Sequence, residues 1–415
     1  YGEDFVEKLN GMFAFAIWDK DKEKLIIYRD RLGIKPLYYA ELSDSFYFGS
    51  EVKSILQTSY ERRPDLEALS YYWRLSYIPA PYTAFEGVKK LEPGHYMVIT
   101  EENVEKKQYW SLEGTPDKSK SFDECAQELR ELLEDSVEKR MMADVPLGAF
   151  LSGGLDSSIT VGLMSKFSKD KIKTFSVIFD EEEYNEAEYS RYISKHFDTD
   201  HTEYEVNLDT ADRAEEILKK MDEPLADAAL IPTHIISEKA SEDVKVVNTG
   251  SGSDELFAGY GRYRKNNSLG PLADMPIILK EAIGASSKAF SEYSKLWYYS
   301  NSIAASKSDI ETFVRNKNKE KIPIEDKSDL YNLAEESFQN DQDWVWKRTD
   351  FDIRYWLPDD LLTKVDRSTM KNSLEARVPF LDHRLVEFSR QIPSDYKIDE
   401  DNVKKVLKKS VEDLI

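Results

Sequence analysis

Two glycine- and serine-rich segments combine residue types that can bind phosphate and metal ions. The first, Ser152–Ser158 (SGGLDSS), follows an apolar run at Val145–Leu151 that predicts a strand and opens a predicted helix at Ser157–Lys166. Adjacent glycines let the backbone approach a ligand, and free N–H groups at the helix start and serine hydroxyls can donate to an anion. Asp156 adds a carboxylate suited to Mg²⁺. The segment therefore predicts a phosphate-binding loop, and a helix-capping turn is the alternative interpretation.

The sequence indicates which class of phosphate-binding loop this segment belongs to. The sequence contains no Gly-Lys-Ser/Thr and no GxGxxG after a predicted strand, which disfavours Walker-type and dinucleotide-binding loops. SGGxDS after a strand is typical of enzymes that cleave ATP between its α and β phosphates. We therefore expect this loop to bind the pyrophosphate part of ATP.

A second segment of similar chemistry is Thr249–Tyr260 (TGSGSDELFAGY), which follows a predicted strand at Val244–Thr249. Asp254 could complete a Mg²⁺ shell together with Asp156. The alternative is that Asp254 and Glu255 only stabilise the dipole of the helix that follows. Ligands of open α/β sheets collect beyond the carboxyl ends of the strands, so we expect the two segments to meet there.

The pattern of the elements changes once along the chain. The first hundred or so residues are β-dominated, with predicted strands at Gly11–Trp18, Leu25–Arg29, Leu37–Leu42 and Ser45–Gly49. Glu113–Ser121 has the composition of a linker. Helices then alternate with short apolar strands, which predicts a parallel sheet with helices on both faces. From about Gly261 the periodicity is mostly helical, so the sequence predicts domains at 1–112 and 122–415, joined by a linker at 113–121.

Composition excludes several classes of protein. Lys and Arg number 57 against 79 Asp and Glu, and a net charge of −22 repels nucleic acid. No apolar stretch is long enough to span a membrane, and the five histidines lack metal-site spacing. The only cysteine, Cys125, lies in a predicted helix, which excludes disulfides and CxxC chemistry. We expect a cytoplasmic enzyme that acts on small molecules, with no nucleic-acid or membrane partner.

Three segments in order carry a family resemblance. Together with Ser373–Asp382 (SLEARVPFLD), the two loops resemble those of glutamine-dependent asparagine synthetases, and the chain from Phe122 resembles their synthetase domain. Leu9–Tyr39, Tyr77–Pro81 and Lys90–Gly94 resemble the second half of a class II glutamine amidotransferase domain. The resemblance implies an α+β, partial Ntn-type, β-rich amidotransferase domain. The resemblance implies that an α/β domain follows. This domain contains a doubly wound parallel sheet, is of the ATP-pyrophosphatase (adenine nucleotide α-hydrolase-like) type, and has a helical C-terminal part.

The resemblance also implies an activity and a set of site residues. Family members make asparagine from aspartate and use ATP, Mg²⁺ and either glutamine or ammonia. The reaction passes through β-aspartyl-AMP and releases AMP and pyrophosphate. The resemblance also suggests a homodimer. The implied metal ligands are Asp156 and Asp254, which with Glu255 are also the implied catalytic residues. The implied ATP and pyrophosphate site comprises Leu151, Ser152, Gly153, Gly154, Asp156, Ser157, Val177, Thr249 and Gly250.

The chain departs from the family pattern at both ends. Tyr1 and the terminal run Val411–Ile415 predict a fragment at both ends, with the family's cysteine nucleophile upstream. We therefore expect no glutamine hydrolysis, since Cys125 looks like a core residue. We also expect a lysine that contacts the activated intermediate to lie beyond the Lys404–Lys409 helix, outside this chain.

A third departure concerns the acceptor. Ser251 stands where the family carries a glutamate that handles protons, and serine has no pKa suited to that role. Asp227, Glu255 and Asp360 are the alternative carboxylates. Two other functions stay open: an amidating ligase for a different carboxylate, and a non-catalytic nucleotide-binding remnant.

Two further groups of charged residues have alternative interpretations. Lys364, Asp366 and Arg367 either face the site or form a solvated helix face. Glu375, Arg377 and Asp382 could bind substrate, but we expect instead a buried ion pair that holds the helix bundle to the sheet.

Overall fold

The computed structural model describes residues 2–42, 44–179, 187–206, 211–264, 337 and 340–415. The N-terminal part contains seven described strands: β1 (Ala14–Asp19), β2 (Lys24–Arg29), β3 (Tyr38–Leu42), β4 (Ser45–Gly49), β5 (Val88–Lys90), β6 (His95–Ile99) and β7 (Val104–Gln108). They form two antiparallel sheets of order β1-β2-β6-β7 and β4-β3-β5. The β-dominated N-terminal part is thus confirmed.

Aromatic side chains pack against one another on the first of these sheets. Tyr28 on β2 stacks on Tyr96 of β6 with ring centroids 5.1 Å apart, and Phe5 from a 3₁₀ helix at Gly2–Lys8 packs edge-on against Tyr28. Helices α1 (Val52–Ile55) and α2 (Leu66–Leu75) lie between β4 and β5 in the chain. The predicted strand at Gly11–Trp18 starts only at Ala14 and ends at Asp19, because Gly11 lies in a bend and Met12 and Phe13 are outside the strand.

The C-terminal part is built on one parallel sheet. Its strands are β8 (Leu147–Phe150), β9 (Lys173–Phe179), β10 (Asp200–Val206), β11 (Val246–Asn248) and β12 (Glu375–Arg377), in the order β10-β9-β8-β11-β12. Every adjacent pair is parallel. This is a doubly wound order whose direction of winding reverses between β8 and β11. The predicted parallel sheet is confirmed. Strand β12 was not predicted, because the sequence after Gly261 has mostly helical periodicity.

Helices surround this sheet. The described helices are α3 (Phe122–Met141), α4 (Leu155–Phe167), α5 (Ala187–His196), α6 (Ala211–Lys219), α7 (Leu230–Ala240), α8 (Ser253–Phe257), α9 (Trp344–Phe351), α10 (Leu362–Met370), α11 (His383–Gln391), α12 (Ser394–Lys397) and α13 (Lys405–Ser410). A π-helix at Asp352–Leu361 connects α9 to α10. Most of the region predicted as helical between Gly261 and Trp344 lies outside the described residues.

Helix α3 packs its apolar face into the main core. A capping box between Ser121 and Glu124 begins the helix, because each residue bonds the backbone N–H of the other. Cys125 is buried on this face, as the sequence predicts for a core residue. Residues 113–121, the predicted linker, contain no helix or strand. The domain boundaries themselves stay a prediction.

Ion pairs and backbone contacts join the two parts of the chain. Lys35 Nζ lies 3.0 Å from Asp366 Oδ1, and Asn10 Nδ2 donates to Asp382 Oδ2 at 2.9 Å. The buried Lys90 lies 3.4 Å from Asp359, whose other oxygen accepts from the backbone of Ala80. No helix of the described residues is both long and apolar enough to cross a membrane.

Candidate active site

The loops after β8 and β11 touch at the point where the winding of the sheet reverses. A Cβ on Gly250 would lie 2.7 Å from Asp156 Cβ and 2.8 Å from the backbone N of Ser157, so only glycine fits there. Ser253 Oγ, at the start of α8, donates to Asp156 Oδ1 at 2.7 Å. The structure thus brings together the two segments that the sequence singles out.

Hydrogen bonds from serine hydroxyl groups fix the conformation of the loop after β8. Ser157 Oγ and Ser158 Oγ donate to the carbonyl of Gly154 at 3.0 and 2.8 Å, and Gly154 N–H donates to Ser152 Oγ at 3.2 Å. Gly153 has a φ of +83°, and a Cβ there would meet the first turn of α5. These contacts form the loop in advance and leave the first N–H groups of α4 for a ligand.

Lys404 bridges the two acidic residues of the loops. Its Nζ lies 2.6 Å from Asp156 Oδ2 and 2.8 Å from Asp254 Oδ1. Burial lowers the pKa of Lys404, but the charges of Asp156 and Asp254 outweigh burial and hold the pKa above its ordinary value. A buried ammonium cation therefore sits between two carboxylates at the mouth of the loop.

Sequence reasoning missed Lys404, and its expectation of a further lysine beyond the Lys404–Lys409 helix stays a prediction. Lys404 precedes α13 and reaches the two loops from a backbone φ of +54°. Four lysines occur between residues 404 and 409, and no spacing distinguishes the buried one from the others. Only the fold, which packs α13 against α3 and α8, separates them.

Gly259 makes room for this bridge. A Cβ on Gly259 would overlap both Asp254 Oδ1 and Lys404 Cε. Any side chain at Gly259 would therefore push the carboxylate and the ammonium apart. Gly259, the glycine of the FAGY sequence, thus has a specific role that its position in the sequence alone does not reveal.

Glu255, predicted as catalytic, lies in a closed pocket. Its side chain is fully buried, and Tyr260 Oη donates to Oε1 at 2.7 Å. Oε2 has no hydrogen-bond partner among the described residues. Burial raises the pKa of Glu255 to about 7, so the acid is half neutral near physiological pH.

The remaining predicted ATP-site residues lie at the same edge of the sheet. Leu151 continues β8 through a bond from its N–H to the carbonyl of Phe175 at 2.9 Å. Val177 lies on β9 and packs beside Phe175. Thr249 follows β11, and its Oγ1 donates to Ser251 Oγ at 3.1 Å. Their roles toward ATP stay predictions.

The two other candidate acids lie next to Lys364. Lys364 Nζ contacts Asp227 Oδ2 at 2.6 Å, and both side chains are partly exposed. Asp360 is 6% exposed, and its Oδ1 has no hydrogen-bond partner among the described residues. Burial, reinforced by the charge of Asp227, raises the pKa of Asp360 to about 7.

The other charged residues of α10 face the N-terminal part of the chain. Asp366 pairs with Lys35, and Arg367 donates to the carbonyl of Ser50 at 2.8 Å. Of the three charged residues considered on this helix, the structure therefore places only Lys364 on the side of the candidate acids.

The SLEARVPFLD segment forms structural contacts. Arg377 pairs with Glu375 at 2.7 Å and donates to the carbonyls of Arg140 and Met142 at the end of α3. Asp382 is fully buried and contacts Arg140 at 2.9 Å and Arg384 at 2.8 Å. Burial opposes ionisation, but these arginines hold the pKa of Asp382 well below its ordinary value.

No group of three or more His, Cys, Asp or Glu among the described residues is arranged to hold a metal ion. Asp156 and Asp254 form a pair of carboxylates that share one cation, the ammonium of Lys404. Mg²⁺ is commonly held by one or two carboxylates together with substrate phosphates and water. The donor set fits a metal that arrives with a phosphate ligand.

A doubly wound parallel sheet with a glycine–serine loop at its reversal point defines an α/β nucleotide-binding protein. Comparison with known proteins is more specific. A family model described as asparagine synthase matches residues 128–415, and one described as glutamine amidotransferase domain matches residues 1–110. The chain belongs to the asparagine synthase family.

Individual relatives agree with this assignment. The chain is 33% identical over its whole length to asparagine synthetase [glutamine-hydrolyzing] 1 of Bacillus subtilis and covers 67% of that protein. It is 32% identical, again over its whole length, to a putative asparagine synthetase [glutamine-hydrolyzing] of Mycobacterium tuberculosis and covers 66% of it. Amidase chry2 of Gibberella zeae is 28% identical over 96% of this chain, which covers 65% of that protein. The chain thus spans about two thirds of the length of these curated relatives.

Proposed function

We propose that this protein catalyses the ATP-dependent synthesis of asparagine from aspartate. The observation that carries the proposal is the bridge from Lys404 to Asp156 and Asp254 at the reversal point of the sheet. This bridge places an ammonium group and two carboxylates beside the glycine–serine loop after β8, which can bind an anion. The names of the relatives in Bacillus subtilis and Mycobacterium tuberculosis support aspartate as the substrate.

In the first step, a side-chain carboxylate oxygen of aspartate attacks the α-phosphorus of ATP. The bond between the α-phosphorus and the bridging oxygen breaks, and its electron pair leaves with pyrophosphate. Ser152, Ser157 and the N–H groups at the start of α4 bind the pyrophosphate in this proposal, and Lys404 stabilises its growing charge. Asp156 and Asp254 would hold Mg²⁺, which supplies additional charge neutralisation when it is bound.

In the second step, ammonia attacks the acyl carbon of β-aspartyl-AMP. The carbon–oxygen bond to phosphate breaks, AMP leaves, and the nitrogen loses a proton to give the amide. Ser251 cannot accept this proton at neutral pH. Asp227, Glu255 and Asp360 stay the candidate acceptors.

The nitrogen source and the cellular setting are also proposals. The amidotransferase match at residues 1–110 supports glutamine as the nitrogen donor of the whole protein. We propose a cytoplasmic location because Cys125, the single cysteine, leaves no pair for a disulfide. A net charge of −22 supports function without nucleic acid. A homodimer stays a prediction.

A different carboxylate acceptor is the second candidate function. Ser251 in place of the family glutamate favours it, and the relative named as an amidase supports it. Both candidates share the first step, in which a carboxylate attacks ATP. They differ only in which carboxylic acid fills the pocket beside the loops.

Pyrophosphate release from ATP, Mg²⁺ and ammonium, with aspartate tested against a panel of other carboxylic acids, distinguishes these functions. Release that requires aspartate and yields asparagine supports the synthetase. Release with another acid alone would favour the second candidate. ATP binding that is lost in Asp156→Ala, with no turnover of any acid by the parent chain, would indicate a nucleotide-binding remnant.

A further inference from the structure

A buried lysine of the N-terminal part reaches the C-terminal part. Lys90, on β5, lines a cavity between the two parts, whose other wall includes the loop at 221–225 and Asp359 of the π-helix. The Lys90 ammonium lies 3.4 Å from Asp359 Oδ1 and 3.7 Å from Glu223 Oε2. It also donates to the carbonyl of Ile78 at 2.5 Å. Lys90 thus places one positive charge beside two acids of the C-terminal part.

The two acids depend on Lys90 for charge balance. The side chains of Asp359 and Glu223 are only 3% and 12% exposed. Asp359 Oδ1 has no hydrogen bond among the described residues, and the Lys90 ammonium is the cation that faces it. Burial lowers the pKa of Lys90, but the charges of Asp359 and Glu223 outweigh burial and raise the pKa above its ordinary value. Removal of this ammonium would therefore leave two buried carboxylates without their cation.

The N-terminal part also holds both acids through its backbone. Ala80 N–H donates to Asp359 Oδ2 at 2.7 Å, and Ala84 N–H donates to Glu223 Oε1 at 3.0 Å. Each acid therefore accepts a backbone hydrogen bond with one oxygen and faces the Lys90 ammonium with the other. The loop at 221–225 and the end of the π-helix are thus fixed against the N-terminal part.

Both fixed segments lead to candidate proton acceptors of the second step. Asp360 directly follows Asp359, and Asp227 lies four residues after Glu223. The residue before Asp227 is held as well, because its N–H donates to the carbonyl of Ser76 at 2.9 Å. A shift of either segment would therefore displace a candidate acid.

We propose that Lys90 is a positioning residue for the synthetase reaction, because it fixes the segments that carry Asp227 and Asp360. This inference rests on the proposed function and extends it. A residue of the part that matches the glutamine amidotransferase domain would serve synthesis even when free ammonia is the nitrogen donor.

The second step should suffer most when Lys90 is replaced. The printed contacts of Lys90 lie outside both ATP loops, so formation of β-aspartyl-AMP should change little. Intermediate that ammonia does not capture is attacked by water at the acyl carbon, which gives aspartate and AMP. The ratio of asparagine formed to pyrophosphate released therefore measures the second step.

This ratio, measured with ATP, Mg²⁺, aspartate and saturating ammonium, tests the proposal. Lys90→Met removes the charge and keeps an unbranched side chain, and it should lower the ratio at least roughly fivefold. The KM for ATP should stay within about twofold. Lys89→Met is the matched control, since Lys89 is the exposed neighbour on the same strand, and it should keep the parent ratio. A parent-like ratio in Lys90→Met would overturn the proposal.

A double variant tests the charge balance. Asp359→Asn keeps an acceptor for Ala80 N–H and removes one of the two negative charges. In this background Lys90→Met should lower the ratio by no more than about twofold. Equal losses in both backgrounds would show that Lys90 does not act through Asp359 and would overturn the proposal.

A second variant keeps the test decisive if circular dichroism shows that Lys90→Met does not fold. Glu223→Gln weakens the same contact and still offers an acceptor to Ala84 N–H, without leaving a buried charge unpaired. It should lower the ratio at least roughly twofold. A parent-like ratio in this variant would then overturn the proposal.

Hydrogen–deuterium exchange separates this inference from the proposed function. If the parent chain releases no pyrophosphate with aspartate, the proposed function fails, and exchange decides the inference. Exchange at least roughly tenfold faster at 221–227 and Asp352–Leu361 in Lys90→Met, but not in Lys89→Met, supports the positioning role. Parent-like exchange in these segments, or an equal rise throughout the chain, overturns it.

Discussion

The ammonium of Lys404 lies 2.6 Å from a carboxylate oxygen of Asp156, although 248 residues separate the two in the chain. Asp156 lies just after the loop that follows β8, the first strand of the parallel sheet in chain order. Lys404 directly precedes α13, the last described helix. The contact ties the end of the chain to the predicted pyrophosphate loop. It also places a positive charge where the departing pyrophosphate gains negative charge in the proposed reaction.

Replacing Lys404 should slow catalysis strongly while leaving the fold in place. We expect Lys404→Met to lower the rate of pyrophosphate release by roughly 100-fold or more, the usual cost of losing one preorganised charge donor. Lys405→Met is the control, since Lys405 bonds Asp395 and Asp399 on the surface. Equal rates in the two variants would remove Lys404 from the mechanism.

Adding one methyl group at Gly259 should separate the site charges. Because its Cβ would overlap Asp254 and Lys404, we expect Gly259→Ala to reduce pyrophosphate release by about 10-fold to 100-fold. Gly261→Ala, where a Cβ meets nothing within 4 Å, should behave like the parent chain. Circular dichroism checks that both variants fold. A fully active Gly259→Ala protein would show that the bridge is dispensable.

Removal of the Asp382 carboxylate should destabilise the protein. Asp382→Ala leaves Arg140 buried without its partner, which costs about 3 to 5 kcal/mol in the free energy of unfolding. Denaturant titration measures this change. The control is Asp413→Ala, whose exposed pair with Arg130 should contribute less than about 1 kcal/mol. Similar losses in both variants would contradict the structural role of Asp382.

The raised pKa of Asp360 predicts a particular dependence of stability on pH. In the unfolded chain the acid ionises near pH 4, whereas in the folded protein it ionises at about pH 7. Between these values the unfolded chain releases a proton that the folded protein keeps, so stability falls as the pH rises from about 4 to 7. Below pH 4 and above pH 7 the contribution is constant.

The Asp360→Asn variant should not show this fall in stability between pH 4 and 7. Relative to the variant, the parent chain should lose up to roughly 1.4 kcal/mol of unfolding free energy per pH unit between pH 4 and 7. Denaturant midpoints at several pH values measure the difference. A difference that stays constant across this range would show that Asp360 ionises normally in the folded protein.

The regular parts of the fold could be predicted because their signals are local. Strand β4 begins and ends where the sequence predicts, since turn residues bound its run of aromatic residues. The loops after β8 and β11 could also be identified, because glycine, serine and aspartate must be neighbours in sequence to shape an anion site. Their contact through Gly250 follows from the order of the strands.

The remaining features depend on tertiary contacts that no local pattern encodes. β12 is three residues long and forms only because Glu375–Arg377 pairs with β11. Lys404 is one of several nearby lysines, and packing alone buries it. The separation of Lys364 from Asp366 and Arg367 likewise depends on where the N-terminal part docks against α10.

An isotope transfer experiment tests the central claim most directly. Aspartate labelled with ¹⁸O in its side-chain carboxylate is incubated with the protein, ATP, Mg²⁺ and ammonium, and the AMP is examined by mass spectrometry. Attack by this carboxylate on the α-phosphorus, followed by cleavage of the acyl carbon–oxygen bond, predicts one ¹⁸O atom in each AMP formed. AMP without the label, formed together with asparagine, would contradict the account.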